Sequence, residues 1–228
     1  RPFRGPGGIW TEKGEPAFNG YQRFLADPRR YWENRLEKQS SSSFRSSILA
    51  SEPNTGHRSL AELEKMGILK SLITQNIDDL HNVAGSKNVI EIHGNMKKLR
   101  CIKCNSRYTI YTIDFSELPP LCEECGGFMK GDSVMFGEPI PPDVLRRCFQ
   151  EADKSDLMLV IGTSALVYPA ASLPLIVKDS GGFLIEMNTM ETPLSSVCDV
   201  CVIGPSGETL PQLVNQVKKE MNDFKHEC

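Results

Sequence analysis

The chain has 228 residues, of which 39% are hydrophobic and 24% charged. This excludes a disordered chain and allows one domain or two at roughly 100–200 residues each. Its 26 Lys and Arg against 29 Asp and Glu leave a formal charge of −3, which gives no electrostatic basis for gripping a phosphate backbone, so nucleic acid is not an expected partner. The longest apolar run, Leu157 to Ile161, is far shorter than the ~18 residues of a membrane span, and Arg1 opens no signal-peptide pattern. A soluble, cytoplasmic protein without membrane contact is expected. Four of the eight cysteines fall into two C-x-x-C pairs, which points to metal in a reducing compartment instead of a disulfide scaffold.

Taken in chain order, Arg4-Gly5-Pro6-Gly7-Gly8 is loop chemistry. Residues 20–38, rich in aromatic and charged side chains (Tyr21, Phe24, Tyr31, Trp32, Arg35), read as a small helical module ended by the serine run Ser40 to Ser43. Asn54 or Thr55 can cap a helix whose apolar positions Leu60, Leu63 and Met66 recur at three-residue spacing, and Gly67 can end it. Two short apolar stretches follow, Ile68 to Ile73 and Val89 to Ile92. They run into Thr74-Gln75-Asn76-Ile77-Asp78-Asp79 and His93-Gly94-Asn95, as strands that deliver polar side chains at their carboxyl ends do.

Residues 97–129 have a different character, with both cysteine pairs and no helical period, and are expected to form a separate small module. Leu157 to Ile161 reads as a parallel strand covered on both faces. It ends in Gly162-Thr163-Ser164, with a helix opening near Pro169, so backbone N–H groups there suit a phosphate, although many such turns bind none. Phe183-Leu184-Ile185 leads to Asn188, and Leu210, Leu213, Val214, Val217 and Met221 share one face of a last amphipathic helix. Alternating strands and helices predict an α/β, doubly wound parallel sheet.

The strongest chemical signal is Cys101-x2-Cys104-x17-Cys122-x2-Cys125. Each pair offers two thiolates from one tight turn, and two turns complete a tetrahedral Zn²⁺ site that is structural because no position stays open. Five basic side chains (Lys97, Lys98, Arg100, Lys103, Arg107) against four acidic ones (Asp114, Glu117, Glu123, Glu124) argue against a nucleic-acid zinc ribbon. Cys198 and Cys201 lack a second pair and read as small buried hydrophobes. His57 and His81 read as hydrogen-bonded structural histidines, and His226 lies in a charged tail. His93 emerges from a buried strand near Gln75, Asn76 and Asp78; its type suits either a general base near neutral pH or a satisfied structural histidine.

Together these residues resemble the sirtuin family of NAD-dependent protein deacylases, its archaeal and bacterial members in particular, over nearly the whole chain. The matching segments are Phe3-Arg4-Gly5-Pro6-Gly7-Gly8-Ile9-Trp10, Pro53-Asn54-Thr55-Gly56-His57, Thr74 to His81, His93-Gly94-Asn95, the four-cysteine module, Phe136-Gly137-Glu138, Gly162-Thr163-Ser164 with Tyr168-Pro169-Ala170-Ala171, and Asn188. The resemblance implies a Rossmann-like sheet domain and a smaller domain made of the zinc-binding and helical modules, with NAD in a cleft between them and acyl-lysine entering from the opposite side. The expected arrangement is a cofactor loop over 1–19, the helical module over 20–53, Rossmann-like parts over 54–96 and 130–228, and the zinc module over 97–129.

By the same resemblance, the acyl oxygen attacks the ribose carbon that bears nicotinamide, a histidine matching His93 deprotonates a ribose hydroxyl, and lysine and O-acyl-ADP-ribose result. His93, Asn76 and Asp78 match the catalytic trio. Phe3, Arg4, Gln75, Asn76, Ile77, Asp78, His93, Gly162, Thr163, Ser164, Asn188 and Ser206 match cofactor contacts. Val134, Phe136, Gly137 and Val167 match the tunnel and backbone edge that take acyl-lysine, and Cys101, Cys104, Cys122 and Cys125 the zinc ligands.

Three departures stand out. The family's first strand and glycine-rich turn would precede Arg1, so the sequence is expected to represent a truncated chain, and a polypeptide starting at Arg1 to bind NAD weakly in a calorimetric titration. Pro2 stands where many members carry aspartate, and Gly131 where many carry proline. Members that remove acidic acyl groups carry Tyr-x-x-Arg, whereas this chain has Trp32-Glu33-Asn34-Arg35; tryptophan lacks the phenolic hydroxyl that holds a carboxylate, so a neutral acyl group is expected. Mono-ADP-ribosyl transfer and a catalytically silent zinc-bearing interaction module are the alternative functions, a monomer the expected assembly, and an acyl-lysine protein the expected partner.

Overall fold

In chain order the elements are α1 (Gly20–Ala26), α2 (Pro28–Gln39), α3 (Thr55–Lys65), β1 (Leu72–Thr74), α4 (Leu80–Ala84), β2 (Val89–Glu91), β3 (Lys98–Cys101), β4 (Arg107–Thr109) and β5 (Met129–Gly131). They continue with α5 (Pro142–Asp153), β6 (Leu157–Ile161), α6 (Leu173–Asp179), β7 (Phe183–Asn188), β8 (Val200–Ile203) and α7 (Ser206–Glu227). The computed structural model describes residues 8, 11–12, 14, 17–39, 48 and 50–227. Phe3, Arg4, most of the glycine-rich opening and the serine run fall outside the described residues. The chain forms two units, one from Arg1–Ser51, Gln75–Asp79 and His93–Pro141, the other from Glu52–Thr74, Leu80–Ile92 and Pro142–Cys228.

In the first unit, Pro28 presets the opening turn of α2, and the Asp27 carboxylate accepts the Arg30 N–H at 2.9 Å, capping that helix. The other half of this unit is an antiparallel sheet of order β4-β3-β5, with Leu99 opposite Tyr108 and Cys101 opposite Met129. Trp32 of α2 is fully buried among Leu99, Cys101, Cys122 and Met129, donates its indole N–H to the Met129 carbonyl at 2.8 Å, and tilts against Phe115. The cysteine module therefore shares its core with the helical module. Two short cysteine-bearing turns hold too little apolar surface of their own, and a tryptophan from outside supplies it.

The second unit carries the parallel strands. β1 pairs with β2 and β6-β7-β8 form a second sheet, all parallel, with Ile161 beside Met187 and Asn188 beside Ile203. Leu60 and Leu63 of α3, Leu72, Met187, and Leu210 and Val214 of α7 make one core. The helix expected after Pro53 starts where the capping chemistry puts it: Asn54 accepts the His57 N–H at 3.0 Å, and the His57 ring closes a capping box on the Asn54 N–H. Two expectations need correction. β6 is not covered throughout, since only Val160 is buried and Leu157 is 46% exposed at the edge of its sheet. Cys201 is exposed and Cys198 half-buried, because β8 is the outer strand on the other side.

Candidate functional site

Two C-x-x-C turns in the first unit bring four sulfurs within 4.8 Å of one another. Cys101 and Cys125 lie 3.5 Å apart and Cys104 and Cys122 3.6 Å, close to the ~3.8 Å edge of a tetrahedron with ~2.3 Å zinc–sulfur bonds. Gly127 backs this cluster: a Cβ there would stand 2.9 Å from the Cys101 sulfur and 3.3 Å from that of Cys125. The donor set and its spacing fit one structural Zn²⁺, with all four positions taken by protein.

The first unit also holds the proposed trio. The chain leaves β1 at Thr74 into residues 75–79 and leaves β2 at Glu91 into Ile92 and His93. The His93 Nδ1 lies 3.2 Å from the Gln75 carbonyl. A carbonyl only accepts, so Nδ1 carries the proton and Nε2 is left as the basic nitrogen. Burial pushes the His93 pKa below its ordinary 6.5, with the Gln75 carbonyl acting in the opposite direction. Asn76 is exposed, and Gln75, Ile77 and Asp78 are half-buried in the same segment. The Ile77 carbonyl accepts the Met96 N–H at 2.9 Å, so this segment is stitched to the one that follows His93. Val134 donates its N–H to the His93 carbonyl at 2.8 Å, which places the loop of Val134, Phe136 and Gly137 beside His93.

In the second unit, Gly162, Thr163 and Ser164 follow β6, Asn188 ends β7, and Ser206 opens α7 just past β8. Gly162 donates its N–H to Met187 at 3.0 Å and Gly204 to Asn188 at 2.8 Å, so these residues gather at the carboxyl ends of three neighbouring parallel strands. That is where such sheets bind ligands. The Asn188 amide donates to the Thr163 carbonyl at 2.8 Å, and the Thr163 hydroxyl accepts the Ala165 N–H at 3.2 Å, fixing a turn in which Gly162 and Ala165 both have positive φ. Hydroxyls, an amide and a helix start suit a sugar and its phosphates. Val167 is half-buried in the loop before Pro169.

The Sir2 family model matches residues 1–169. The chain belongs to the Sir2 family. It is 42% identical to the NAD-dependent protein deacylase 1 of Archaeoglobus fulgidus over 96% of this chain and 87% of that one. It is 44% identical to the NAD-dependent protein deacetylase of Sulfurisphaera tokodaii, over 96% and 85% respectively. Among solved structures, it superposes on a Sir2 homologue mutant bound to ADP ribose with a TM-score of 0.79, 40% identity and 97% and 87% coverage. A Sir2 homologue–NAD complex follows at a TM-score of 0.73, 40% identity and 93% and 86% coverage.

One set of residues in this Sir2-family chain carried no role in the sequence reading: Asn95, Arg100, Lys130, Asp132 and Glu138. Asn95, Lys130 and Asp132 are at most 1% exposed, and the Arg100 and Glu138 side chains 5% and 2%. Burial pulls the Lys130 ammonium down to about 8, with Glu138 opposing the shift. Only the short span from His93-Gly94-Asn95 to Phe136-Gly137-Glu138 hinted at them. Gly94 has φ +75 and lies so near the Asp132 carbonyl that a Cβ would come within 2.2 Å of its oxygen. Gly131, the departure from proline, is filled in a similar way: the Arg35 guanidinium occupies the space a Cβ would take, at 2.9–3.0 Å.

Proposed function

We propose that this chain is an NAD-dependent protein-lysine deacylase, which passes the acyl group of acyl-lysine to ADP-ribose with release of nicotinamide. The carrying observation is the contact of His93 Nδ1 with the Gln75 carbonyl at 3.2 Å: a carbonyl accepts, which puts the proton on Nδ1 and leaves Nε2 basic, and burial favours the neutral ring. NAD, when bound, supplies the ribose carbon that accepts the acyl oxygen. His93 Nε2 then takes a proton from a hydroxyl. Asn76 and Asp78 orient the sugar and the carboxamide, work suited to one amide and one carboxylate on a tethered loop. Thr163, Ser164, Asn188 and Ser206, with Gly162, hold the adenosine side, and Gln75 and Ile77 complete the contacts of the trio. Phe3 and Arg4, outside the described residues, are proposed to shield the reacting centre from water. Val134, Phe136, Gly137 and Val167 receive the acyl-lysine, whose peptide adds as a strand. Cys101, Cys104, Cys122 and Cys125 hold zinc, which supplies folding energy and takes no part in the chemistry.

A neutral acyl group is the proposed substrate. Trp32 is fully buried with its N–H donated to Met129, and Arg35 lies over the Trp32 ring, 5.5 Å from its centroid, and donates to the Tyr31 hydroxyl at 3.3 Å. A higher kcat/KM on succinyl-lysine than on acetyl-lysine peptide overturns this preference. The reduced tetrathiolate suits a cytoplasmic place of action, and among the described residues no helix is long and apolar enough to cross a membrane. The deciding experiment incubates the protein with acetyl-lysine peptide and NAD and follows nicotinamide and peptide mass. Loss of the acyl mass with nicotinamide release is expected. A peptide mass gain indicates ADP-ribosyl transfer, and no change a silent module; either result removes the deacylase reading.

A further inference from the structure

A buried polar cluster in the first unit has no part in the chemistry just described. The Asp132 carboxylate takes ion pairs from Arg100 Nε at 3.2 Å and Arg107 Nε at 3.1 Å, and its second oxygen accepts the Asn95 N–H at 3.1 Å. Glu138 pairs with Arg100 Nη2 on one oxygen and with Lys130 Nζ at 3.0 Å on the other. That second oxygen also accepts the Met135 N–H at 2.8 Å. Lys130 spends its remaining donors on the carbonyls of Gly131 and Ser133, at 2.6 and 3.0 Å. Asn95, fully buried, donates its side-chain amide to Asp79 at 2.8 Å, at the end of the segment that carries Asn76 and Asp78.

Charges are costly to bury even when paired, and apolar side chains of equal volume would stabilise a core as well or better. The cluster is therefore poorly explained as a source of stability. Its geometry has another product. Residues 133–137 are tied by Lys130 at Ser133, by the His93 carbonyl at Val134 and by Glu138 at Met135. The Glu138 N–H returns to the Met135 carbonyl at 2.9 Å to close a turn at Gly137, whose φ is +78. The anchors of residues 133–135 are thus groups of this cluster or of His93, while α1 holds the far end, where the Tyr21 N–H donates to the Phe136 carbonyl at 3.3 Å and the Gln22 amide to that of Gly137 at 3.4 Å.

We propose that Glu138 is a positioning residue for acyl-lysine: with Lys130, and steadied through Arg100 by Asp132, it clamps residues 133–135 beside His93 and sets the receiving edge before a peptide arrives. This rests on the deacylase reading of the same site. The test compares kinetics of the full chain carrying Glu138→Gln with those of Glu138→Gln/Lys130→Met, each checked for bound zinc. Glu138→Gln is expected to raise KM for an acetyl-lysine peptide by about tenfold or more, while KM for NAD moves less than about twofold. The double variant, relieved of an unpaired ammonium, should regain thermal stability without regaining peptide KM.

If peptide KM follows stability instead, or stays at the wild-type value in either variant, the clamp is overturned. Should neither variant fold, amide exchange on the wild-type protein decides. Slow exchange at Val134 and Met135 without ligand is expected, and exchange as fast as in an open loop overturns the proposal. A wild-type protein that releases no nicotinamide defeats the deacylase reading alone, because peptide anisotropy on the same variants still reads the clamp.

Discussion

His93 makes one hydrogen bond to a backbone carbonyl that selects its tautomer, and the burial around it selects its charge. His93→Ala is expected to cut turnover by at least ~100-fold, the usual share of a general base, while zinc measured by metal analysis stays bound, since the four sulfurs lie on other turns. Its pH dependence has a definite sign. The folded-state pKa lies below 6.5, so the native protein binds fewer protons than the unfolded chain on the acid side of that value. The stability from this group is present above 6.5 and is lost as pH falls through the native pKa. The acid limb of kcat/KM should follow the same shift, with its midpoint under pH 6.5; a midpoint above it contradicts the burial argument. The nearness of His93 to the Gln75–Asp78 segment was legible in the sequence because polar residues followed short apolar runs, whereas the roles proposed for the trio rest on the family resemblance. Asp132 and Glu138 were not, because a charge bound for the interior is written with the same letter as a charge bound for water, and only the fold brings Arg100 and Lys130 to meet it.

At the scale of elements, start signals were read more accurately than burial. Asn54 caps α3 as its side chain allows, and Asn54→Ala is expected to lower unfolding free energy by about 1 kcal/mol in a urea titration, at the middle of the range for lost caps. A loss near zero would mean that the His57 side of the box suffices. Strand β6 was read as sheathed because five apolar residues in a row suit a central strand, yet it is an edge strand with Leu157 46% exposed. Apolar runs report how much a strand can bury; its neighbours decide how much it does. The cysteine spacing was the opposite case, since two tight turns leave thiolates few other arrangements and Cys101 to Cys125 converge as the spacing implies.

At the scale of the molecule, the first unit is assembled from three separated stretches of chain, and its zinc-bearing half borrows its largest core side chain from α2. A peptide of residues 97–131 carries every sulfur ligand but lacks Trp32. Supplied with zinc, it is expected to bind the metal and still show fast amide exchange at Leu99 and Met129, which in the whole protein line the Trp32 pocket. Slow exchange in the peptide would mean that the metal alone organises β3 to β5. The alternation of strands and helices showed the α/β class without this detail, because periodicity is local and the Trp32 to Met129 bond spans 97 residues.

That span also sets an order of events at the ribosome. With elongation at ~5–20 residues per second, Met129 is polymerised about 5–20 s after Trp32, and a loop of this length must close before the indole finds its carbonyl. Throughout that interval the indole N–H of the nascent α2 has only water to accept it, and its apolar rings lack the pocket that later covers them. Completion of the unit is post-poned until the second cysteine pair has been translated.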